Sequence, residues 1–416
     1  MFRNVEELKG LIIDVDSIEN FNFDKWEDIS NEFKCLFFTC NNETKESLCK
    51  FSPKENVLLL DESKVAFAPN LSFHNKVLEL LNLNYNEVSY ISANIKFISR
   101  ANNFLSGTIL INNNITYQNA RSLPDWVVKD QEMLGNLLEN NFNGYFGEVV
   151  IWNHCINKNN NTGSIINIDF MEDKTVSLYT LGRYFGKNHY MSNLHPYSKA
   201  ILYNKIEGKK YTGVFNDVFM KIFGVVIQRI CDEFKVDGIC SVPVKPNKTD
   251  RYEKIIARLS EIFGIKNYNT SFHCTREYQD QKNISAIERA NNVQGAFSFD
   301  GDLDGETIIL IDDIITTGET LKECVKELKG SGAKNIVILV LAINQQSSYW
   351  STQKPNIFCE KCKSIMELRV SSEKKFFFAC RNCYYQNEEN ITLNFKDGWH
   401  IIETLEKEKL LETKNK

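Results

Sequence analysis

The first quarter of the chain alternates short apolar runs with longer polar or amphipathic stretches. Five apolar runs have the length and the β-branched or aromatic content of buried strands: Leu11 to Val15, Leu36 to Thr39, Val57 to Leu60, Val88 to Ile91 and Gly107 to Ile111. The stretches between them could form helices, and strands that alternate with helices form parallel sheets. The pattern therefore predicts an α/β domain over residues 1–115.

A second group of apolar runs predicts another α/β unit over residues 164–350. Three strand candidates lie in it: Gly238 to Val244, Thr307 to Ile314 and Asn335 to Ile343. Apolar residues recur at helical spacing from Val214 to Phe234, which indicates an amphipathic helix. The long connections between the strands imply parallel neighbours. Residues 116–163 are expected to be a connector, with a helix from Leu123 to Asn140.

Composition and charge narrow the classes of protein that fit. With 416 residues, 25% of them charged and 43% hydrophobic, the chain is typical of a globular protein of two or three domains. A net charge of -5 argues against binding to nucleic acid by overall charge alone. No apolar run is long enough to cross a bilayer, and Met1 to Lys9 lacks the pattern of a signal peptide. We expect a cytoplasmic protein that does not bind membranes and that could form oligomers.

One run of thirteen residues, Ile308 to Thr320, carries the strongest chemical signal. Four apolar residues, two acids and two more apolar residues predict a buried strand that ends at Asp312 and Asp313. A turn follows and opens a helix near Glu319. Its residues are Thr316, Thr317, Gly318, Glu319 and Thr320. Their backbone N–H groups and hydroxyls can surround a phosphate at the positive end of the helix, and glycine permits close backbone approach.

The alternative is an ordinary buried strand followed by a capped helix. Two adjacent acids at the carboxyl end of a strand favour the binding site, because open α/β sheets bind their ligands there.

The run resembles the 5-phosphoribosyl-1-pyrophosphate (PRPP) signature of type I phosphoribosyltransferases. That resemblance makes Asp312 and Asp313 the catalytic acids that hold the ribose hydroxyls, while Thr316 to Thr320 bind the 5-phosphate. It implies a Mg²⁺ ion between the pyrophosphate and the ribose, and transfer of phosphoribose to a small-molecule acceptor that the sequence does not identify. Type I folds also include regulators, so a protein that senses PRPP or a nucleotide without turnover is the alternative.

Upstream residues resemble the landmarks of the ComF-type branch of this family. The landmarks are Ser241-Val-Pro-Val-Lys245, Arg251, Arg276, Gln281 to Arg289 and Asn292 to Phe297. The resemblance makes Lys245 a contact of the pyrophosphate and places Arg276, Gln281 and Arg289 on a loop that closes over PRPP. Each arginine taken alone is explained equally well as a surface ion-pair partner.

Four cysteines near the C-terminus form two Cys-x-x-Cys pairs: Cys359 with Cys362, and Cys380 with Cys383. The residues between the pairs predict a hairpin of Ile365 to Val370 against Lys375 to Ala379. Four thiolates in this arrangement form a closed tetrahedral site for structural zinc. Residues 351–395 therefore resemble a zinc ribbon, followed by a charged helical tail over 396–416.

Aromatic and basic residues alternate in the ribbon. They are Phe376, Phe377, Phe378, Arg381, Tyr384 and Tyr385. Such a surface would suit single-stranded nucleic acid, although a hairpin core is expected to use at least half of the rings.

The N-terminal domain carries a separate cluster of polar residues. Asp14 and Asp16 follow the first predicted strand, and Thr39 ends the second. A carboxylate nucleophile, a second acid two residues later and a phosphate-binding threonine resemble the haloacid dehalogenase-like (HAD) fold. The expected lysine is replaced by Ala68-Pro69, and the expected acids after the fourth strand by Ser92-Ala-Asn94. A degenerate, non-catalytic domain is therefore favoured over an active phosphatase.

Overall fold

The computed structural model describes residues 8–65, 68–104, 106–112, 114–140, 144–156, 162–187, 189–205, 213–279, 286–346, 357–386 and 390–401. The strands are β1 (Gly10–Asp14), β2 (Lys34–Thr39), β3 (Val57–Leu59), β4 (Val88–Ser92), β5 (Gly107–Ile111), β6 (Ile115–Thr116), β7 (Trp126–Val128), β8 (Ile166–Asp169), β9 (Val176–Thr180), β10 (Arg183–Tyr184), β11 (Gly238–Ser241), β12 (Lys266–Asn267), β13 (Phe272–Cys274), β14 (Phe297–Phe299), β15 (Thr307–Ile315), β16 (Asn335–Asn344), β17 (Glu367–Val370), β18 (Phe376–Ala379) and β19 (Thr392–Asn394). The helices are α1 (Phe23–Glu32), α2 (Asn42–Leu48), α3 (Glu62–Val65), α4 (Leu71–Leu81), α5 (Ile95–Ala101), α6 (Tyr117–Ala120), α7 (Gln131–Asn140), α8 (Phe146–Ile156), α9 (Pro196–Lys205), α10 (Asn216–Glu233), α11 (Glu253–Phe263), α12 (Ala286–Val293), α13 (Glu319–Gly330) and α14 (Arg381–Tyr385).

The first sheet has six parallel strands in the order β3-β2-β1-β4-β5-β7. Its strands are buried on both faces: Ile12 packs into one apolar cluster, and its neighbours Leu11 and Ile13 pack into another. Burial on both faces explains why these strands appear as continuous apolar runs rather than as alternating ones. The predicted parallel α/β architecture is confirmed.

The expected helix from Leu123 to Asn140 is wrong in its first part. Trp126–Val128 instead forms β7 at the edge of the first sheet, paired with β5, and the helix begins at Gln131. A Trp-Val-Val sequence favours a strand because these side chains pack well on a pleated surface. The Asp130 carboxylate accepts a hydrogen bond from the backbone N–H of Met133 and so caps the helix at its observed start.

The second sheet has the order β12-β11-β15-β16-β9-β8-β6, and β10 also pairs with β16. Its central strands β11, β15 and β16 are parallel neighbours, as predicted, whereas β8 and β9 are antiparallel. Within the part of the chain that the structure describes, no helix has the length and apolar character needed to span a bilayer.

Residues of the expected connector belong to both sheets, since β6 joins the second and β7 joins the first. A buried ion cluster lies between them. The Arg183 guanidinium is 2.9 Å from Asp125 and 3.0 Å from Glu148, and Asp125 also accepts a hydrogen bond from the backbone N–H of Thr108 in β5. Burial opposes charge on Glu148, but Arg183 and His195 hold its pKa at about 2. The limits assigned to the domains stay a prediction.

The cysteine-rich segment forms a three-stranded antiparallel sheet, β17-β18-β19, that contains the predicted hairpin. It packs against the second α/β unit: the rings of Phe376 and Phe215 are 5.9 Å apart, and Lys374 pairs with Asp217 at the start of α10. Of the predicted tail, residues 402–416 lie outside the described residues.

Candidate functional site

A cavity of about 310 Å³ opens at the carboxyl ends of β11 and β15 in the second sheet. Its lining brings together segments that are far apart in the sequence. They are Lys205 at the end of α9, Val242, Pro243, Val244, Lys245, Lys248, Thr249 and Arg251 after β11, Tyr278, and the run from Asp312 to Leu321 without Thr317 and Glu319. This is the edge at which open α/β sheets bind ligands.

The turn after β15 has the geometry expected of a phosphate-binding loop. Gly318 has a φ of 80° and caps α13, which begins at Glu319 as predicted. A Cβ atom at Gly318 would lie 2.7 Å from Cε2 of Phe170, so both the backbone conformation and the packing require glycine. Thr316 and Thr320 line the cavity beside it.

One detail of this loop differs from the prediction. β15 continues to Ile315 rather than ending at the two acids, because Ile314 and Ile315 still pair with β16. Thr317 and Glu319 do not line the cavity, and the Glu319 side chain forms an ion pair with Lys322 at 2.8 Å. Phosphate binding by these two residues stays a prediction.

The two acids lie in different electrostatic surroundings. Asp313 is buried, and its carboxylate is 3.0 Å from the ammonium of Lys205 and 2.9 Å from the guanidinium of Arg251. Burial opposes ionisation of Asp313, but these cations outweigh it and hold the pKa below its ordinary value. Burial and the charge of Asp313 raise the pKa of Asp312 to about 7. Only one of the two carboxyls is therefore fully ionised near neutral pH.

The candidate cations divide into those that line the cavity and those that do not. Lys245 lines it, with its ammonium 4.6 Å from the centre of the Tyr278 ring, and Arg251 lines it beside Asp313. Arg276 is exposed and donates hydrogen bonds to the backbone carbonyls of Asn292 and Gln294. It holds the ends of its loop together in this structure.

Two residues of the expected closing loop cannot be placed against the cavity. Gln281 lies outside the described residues. Arg289 lies in α12, and its side chain is also outside the described part of the structure.

The sequence analysis missed Lys248, Thr249 and Tyr278 of the lining, and it missed three residues from more distant segments. Lys205 is one, and the others support the phosphate loop: the hydroxyl of Tyr117 donates to the backbone carbonyl of Thr316, and Phe170 contacts Gly318. The rings of Tyr117 and Phe170 pack edge to face with centres 5.4 Å apart. All three lie far from the loop in sequence, and no local motif marks them.

The four predicted zinc ligands come together at the base of the hairpin. Their sulfur atoms lie within 4.8 Å of one another, with 3.8 Å between Cys359 and Cys383 and 3.3 Å between Cys362 and Cys380. Zn–S bonds of about 2.3 Å in a tetrahedron require sulfur atoms about 3.8 Å apart. The cluster therefore fits a structural zinc ion that all four cysteines hold, with no position left for a substrate.

The aromatic residues of the ribbon have two different environments. Phe376 and Phe378 are buried in its core, whereas Tyr384 and Tyr385 are 63% and 66% exposed. The Arg381 guanidinium lies 5.2 Å from the centre of the Tyr385 ring. Only the exposed rings could stack on bases, and nucleic-acid binding stays a prediction.

The predicted N-terminal site residues also come together. Asp16 accepts hydrogen bonds from the Thr39 hydroxyl and the backbone N–H of Cys40, both at 2.5 Å, and Asp14 accepts one from the Ser92 hydroxyl at 2.7 Å. Burial raises the pKa of Asp14. Protein donors hold both carboxylates.

A cation that the sequence analysis did not single out acts near Asp14. Arg100 interacts electrostatically with that carboxylate, and its Nε donates to the backbone carbonyl of Ala68 at 2.6 Å. The HAD resemblance predicts a lysine at the Ala68-Pro69 segment. In this chain the backbone carbonyl of Ala68 in that segment holds the side chain of Arg100 instead.

Replacing Cys380 with serine should remove the zinc that the cluster fits and destabilise the cysteine-rich segment, because a small four-cysteine module takes folding energy from its metal. Metal content per chain, measured by mass spectrometry on the purified protein, should fall from about one zinc to about none. Cys324→Ser, at a buried cysteine outside the cluster, is the control and should keep its metal. An unchanged zinc content in Cys380→Ser would contradict the assignment.

Comparison with known proteins gives the domain its family. Residues 254–374 match the phosphoribosyl transferase domain. Competence protein F of Haemophilus influenzae is 33% identical over 88 residues, which are 20% of this chain and 38% of that protein.

A solved structure, that of Leishmania donovani UMP synthase, aligns with 80% of this chain and 65% of its own at 13% identity. Its TM-score of 0.24 is too low to establish a shared fold. The matched segment contains the run Ile308 to Thr320, in agreement with the resemblance of that run to the PRPP signature. This chain therefore carries a phosphoribosyl transferase domain that is similar to Competence protein F.

Proposed function

We propose that this protein is a Mg²⁺-dependent phosphoribosyltransferase that uses PRPP as donor and a small base or amine as acceptor. One observation carries the proposal: a glycine-capped phosphate loop, two acids and several cations line a single cavity in the second sheet. Each of these groups matches one part of PRPP. The matched relative shares only part of its length with this chain, so the acceptor is proposed only as a class.

The neutral loop suits the 5-phosphate. Backbone N–H groups at the start of α13 and the hydroxyls of Thr316 and Thr320 would donate to its oxygens without a buried counter-charge. Asp312 and Asp313 are next along the cavity and would hold the ribose hydroxyls. Lys245 lines the same cavity and would neutralise the pyrophosphate, while Arg251 stays paired with Asp313.

Phosphoribosyl transfer depends on the positions and charges of the groups around PRPP more than on a covalent bond formed by the protein. The acceptor forms a bond to the anomeric carbon as the bond to pyrophosphate breaks, and positive charge develops on the ribose ring. Cations that stabilise the departing pyrophosphate lower this barrier. A bound Mg²⁺ would supply further positive charge to the pyrophosphate. Among the described residues that line the cavity, Asp312 and Asp313 are the carboxylates that would hold this ion together with oxygens of PRPP.

The N-terminal domain is proposed to be HAD-like in fold and inactive as a phosphatase. The strand order β3-β2-β1-β4-β5 places the polar cluster at the point where the order reverses, which supports a former ligand site. The hydrogen bonds from Thr39, Cys40 and Ser92 to its two acids argue against a free nucleophile there.

Loss of the acids should abolish donor binding. Calorimetry with Mg²⁺ should detect PRPP binding to the wild-type protein, and a panel of bases and amines should release pyrophosphate. Asp312→Asn should weaken PRPP binding about 10- to 100-fold, the effect of losing a hydrogen bond to a charged group, and the double variant Asp312→Asn, Asp313→Asn should abolish it. Asp300→Asn, at an exposed acid away from the cavity, is the control.

Each outcome of this experiment has a distinct meaning. Binding without pyrophosphate release for any acceptor would favour a PRPP sensor over a transferase. Absence of PRPP binding to the wild-type protein would overturn the proposed function.

PRPP affinity should decrease as the pH is lowered from about 8 to about 6. The raised pKa of Asp312, about 7, means that this carboxyl is ionised at the upper pH and protonated at the lower one. Only the ionised form offers both carboxyl oxygens as acceptors to the ribose hydroxyls, so affinity should fall about tenfold between pH 8 and pH 6. Titrations of Asp312→Asn in the same buffers give the part of the pH dependence that comes from ionisation of PRPP itself. An equally steep dependence in that variant would rule out Asp312 as the titrating group.

Phosphate esters should not be hydrolysed by the N-terminal domain. A colorimetric phosphate assay on a panel of sugar phosphates and nucleotides should give the same background for the wild type and for Asp14→Asn. Hydrolysis that is present in the wild type and lost in Asp14→Asn would show that the domain is active.

A further inference from the structure

Helix α9 ends at the cavity, although it lies outside the residues that match the phosphoribosyl transferase domain. Its last residue is Lys205, and the ammonium group lies 3.1 Å from Oδ1 and 3.0 Å from Oδ2 of Asp313. Arg251 approaches the same carboxylate at 2.9 Å. One buried acid therefore has two cationic partners, one of them from α9.

The lining of the cavity has more cations than acids. Its four cations are Lys205, Lys245, Lys248 and Arg251, and its two acids are Asp312 and Asp313. The phosphate loop adds no charged side chain to the lining. This excess of positive charge fits a ligand that carries several negative charges.

The end of α9 is fixed by the residue before the lysine. The side chain of Asn204 accepts a hydrogen bond from the backbone N–H of Phe215 at 3.0 Å and donates one to Asn216 at 2.8 Å. Both partners lie at the start of α10. Earlier in the helix, the Tyr197 hydroxyl donates to the carbonyl of Leu341 in β16 at 2.9 Å. The backbone of Lys205 is thus held beside the cavity.

The two cations on Asp313 differ in freedom. The Lys205 side chain is 41% exposed and the Arg251 side chain 19%. Lysine carries a compact charge on a flexible four-carbon stem, so it can change partners by rotation, whereas the planar guanidinium of arginine is suited to hold a carboxylate. Because Arg251 remains beside Asp313, this acid keeps a cationic partner when Lys205 moves away.

We propose that Lys205 is a pyrophosphate-binding residue, which pairs with Asp313 in the empty site and with the pyrophosphate of PRPP in the occupied one. The assignment rests on the proposed use of PRPP and adds a ligand-binding group from outside the matched domain. The 5-phosphate is excluded as its target because the neutral loop already surrounds that group with donors.

Affinities for three ligands distinguish a pyrophosphate-binding role of Lys205 from a purely structural role. Calorimetry on the full chain with Mg²⁺ should give about a tenfold or larger loss of affinity for PRPP and for inorganic pyrophosphate in Lys205→Met, as expected when a charge-assisted hydrogen bond is lost. Affinity for ribose 5-phosphate should be unchanged, because that ligand has no pyrophosphate. Lys205→Arg keeps the charge and should recover most of the affinity for PRPP.

A second lysine of the same helix provides the matched control. Lys199 contacts the side chain of Asn193 at 3.2 Å and does not line the cavity. Lys199→Met should therefore bind all three ligands as the wild type does.

The outcomes distinguish this assignment from the proposed function. Wild-type protein that does not bind PRPP would overturn both. If the wild type binds PRPP and Lys205→Met binds it equally well, only the role of Lys205 is wrong. An equal loss for PRPP and ribose 5-phosphate in both Lys205 variants would also overturn it, because distortion of the whole cavity weakens every ligand.

Discussion

One buried charge, that of Arg183, determines how the two halves of this molecule fit together. The Arg183 guanidinium has almost no access to water, so its charge must be balanced by buried partners. These partners are the carboxylates of Asp125 and Glu148. Removing one partner of such a buried pair costs about 3–5 kcal/mol, since the remaining charge loses its compensation. Because Asp125 also accepts a hydrogen bond from Thr108 in β5 of the first sheet, the same charge fixes the relation between the two sheets.

The phosphate loop depends on contacts from distant parts of the second sheet. Tyr117 and Phe170, which support the loop, directly follow β6 and β8 and do not belong to the strand and helix that form it. A second electrostatic constraint applies at the neighbouring acids, where Lys205 and Arg251 keep Asp313 ionised despite its burial. The cavity therefore combines a neutral half, built from backbone dipoles, with a half in which positive charge is in excess.

Contiguous features of this molecule could be predicted from the sequence, and distant pairings could not. The loop at Gly318 and the cysteine cluster were predictable because each places its functional groups within a few residues of one another. Lys205 is 108 residues from Asp313, and Tyr117 is 199 residues from Thr316, so no local pattern relates them. The sequence also did not indicate the hydrogen bonds from Arg276 to backbone carbonyls, and its place on a closing loop stays a prediction. β7 was missed because a three-residue edge strand has too few residues to establish a period.

The contact between Phe170 and Gly318 bears on which part of this chain can be excised as an autonomous unit. A fragment cut to the matched residues 254–374 would retain the loop and both acids. It would lose the aromatic pair that packs against the loop, as well as β9, which covers one edge of β16. The smallest unit able to hold the loop in shape is therefore larger than the region of recognisable sequence similarity. In this protein the inherited motif and the folding unit have different boundaries.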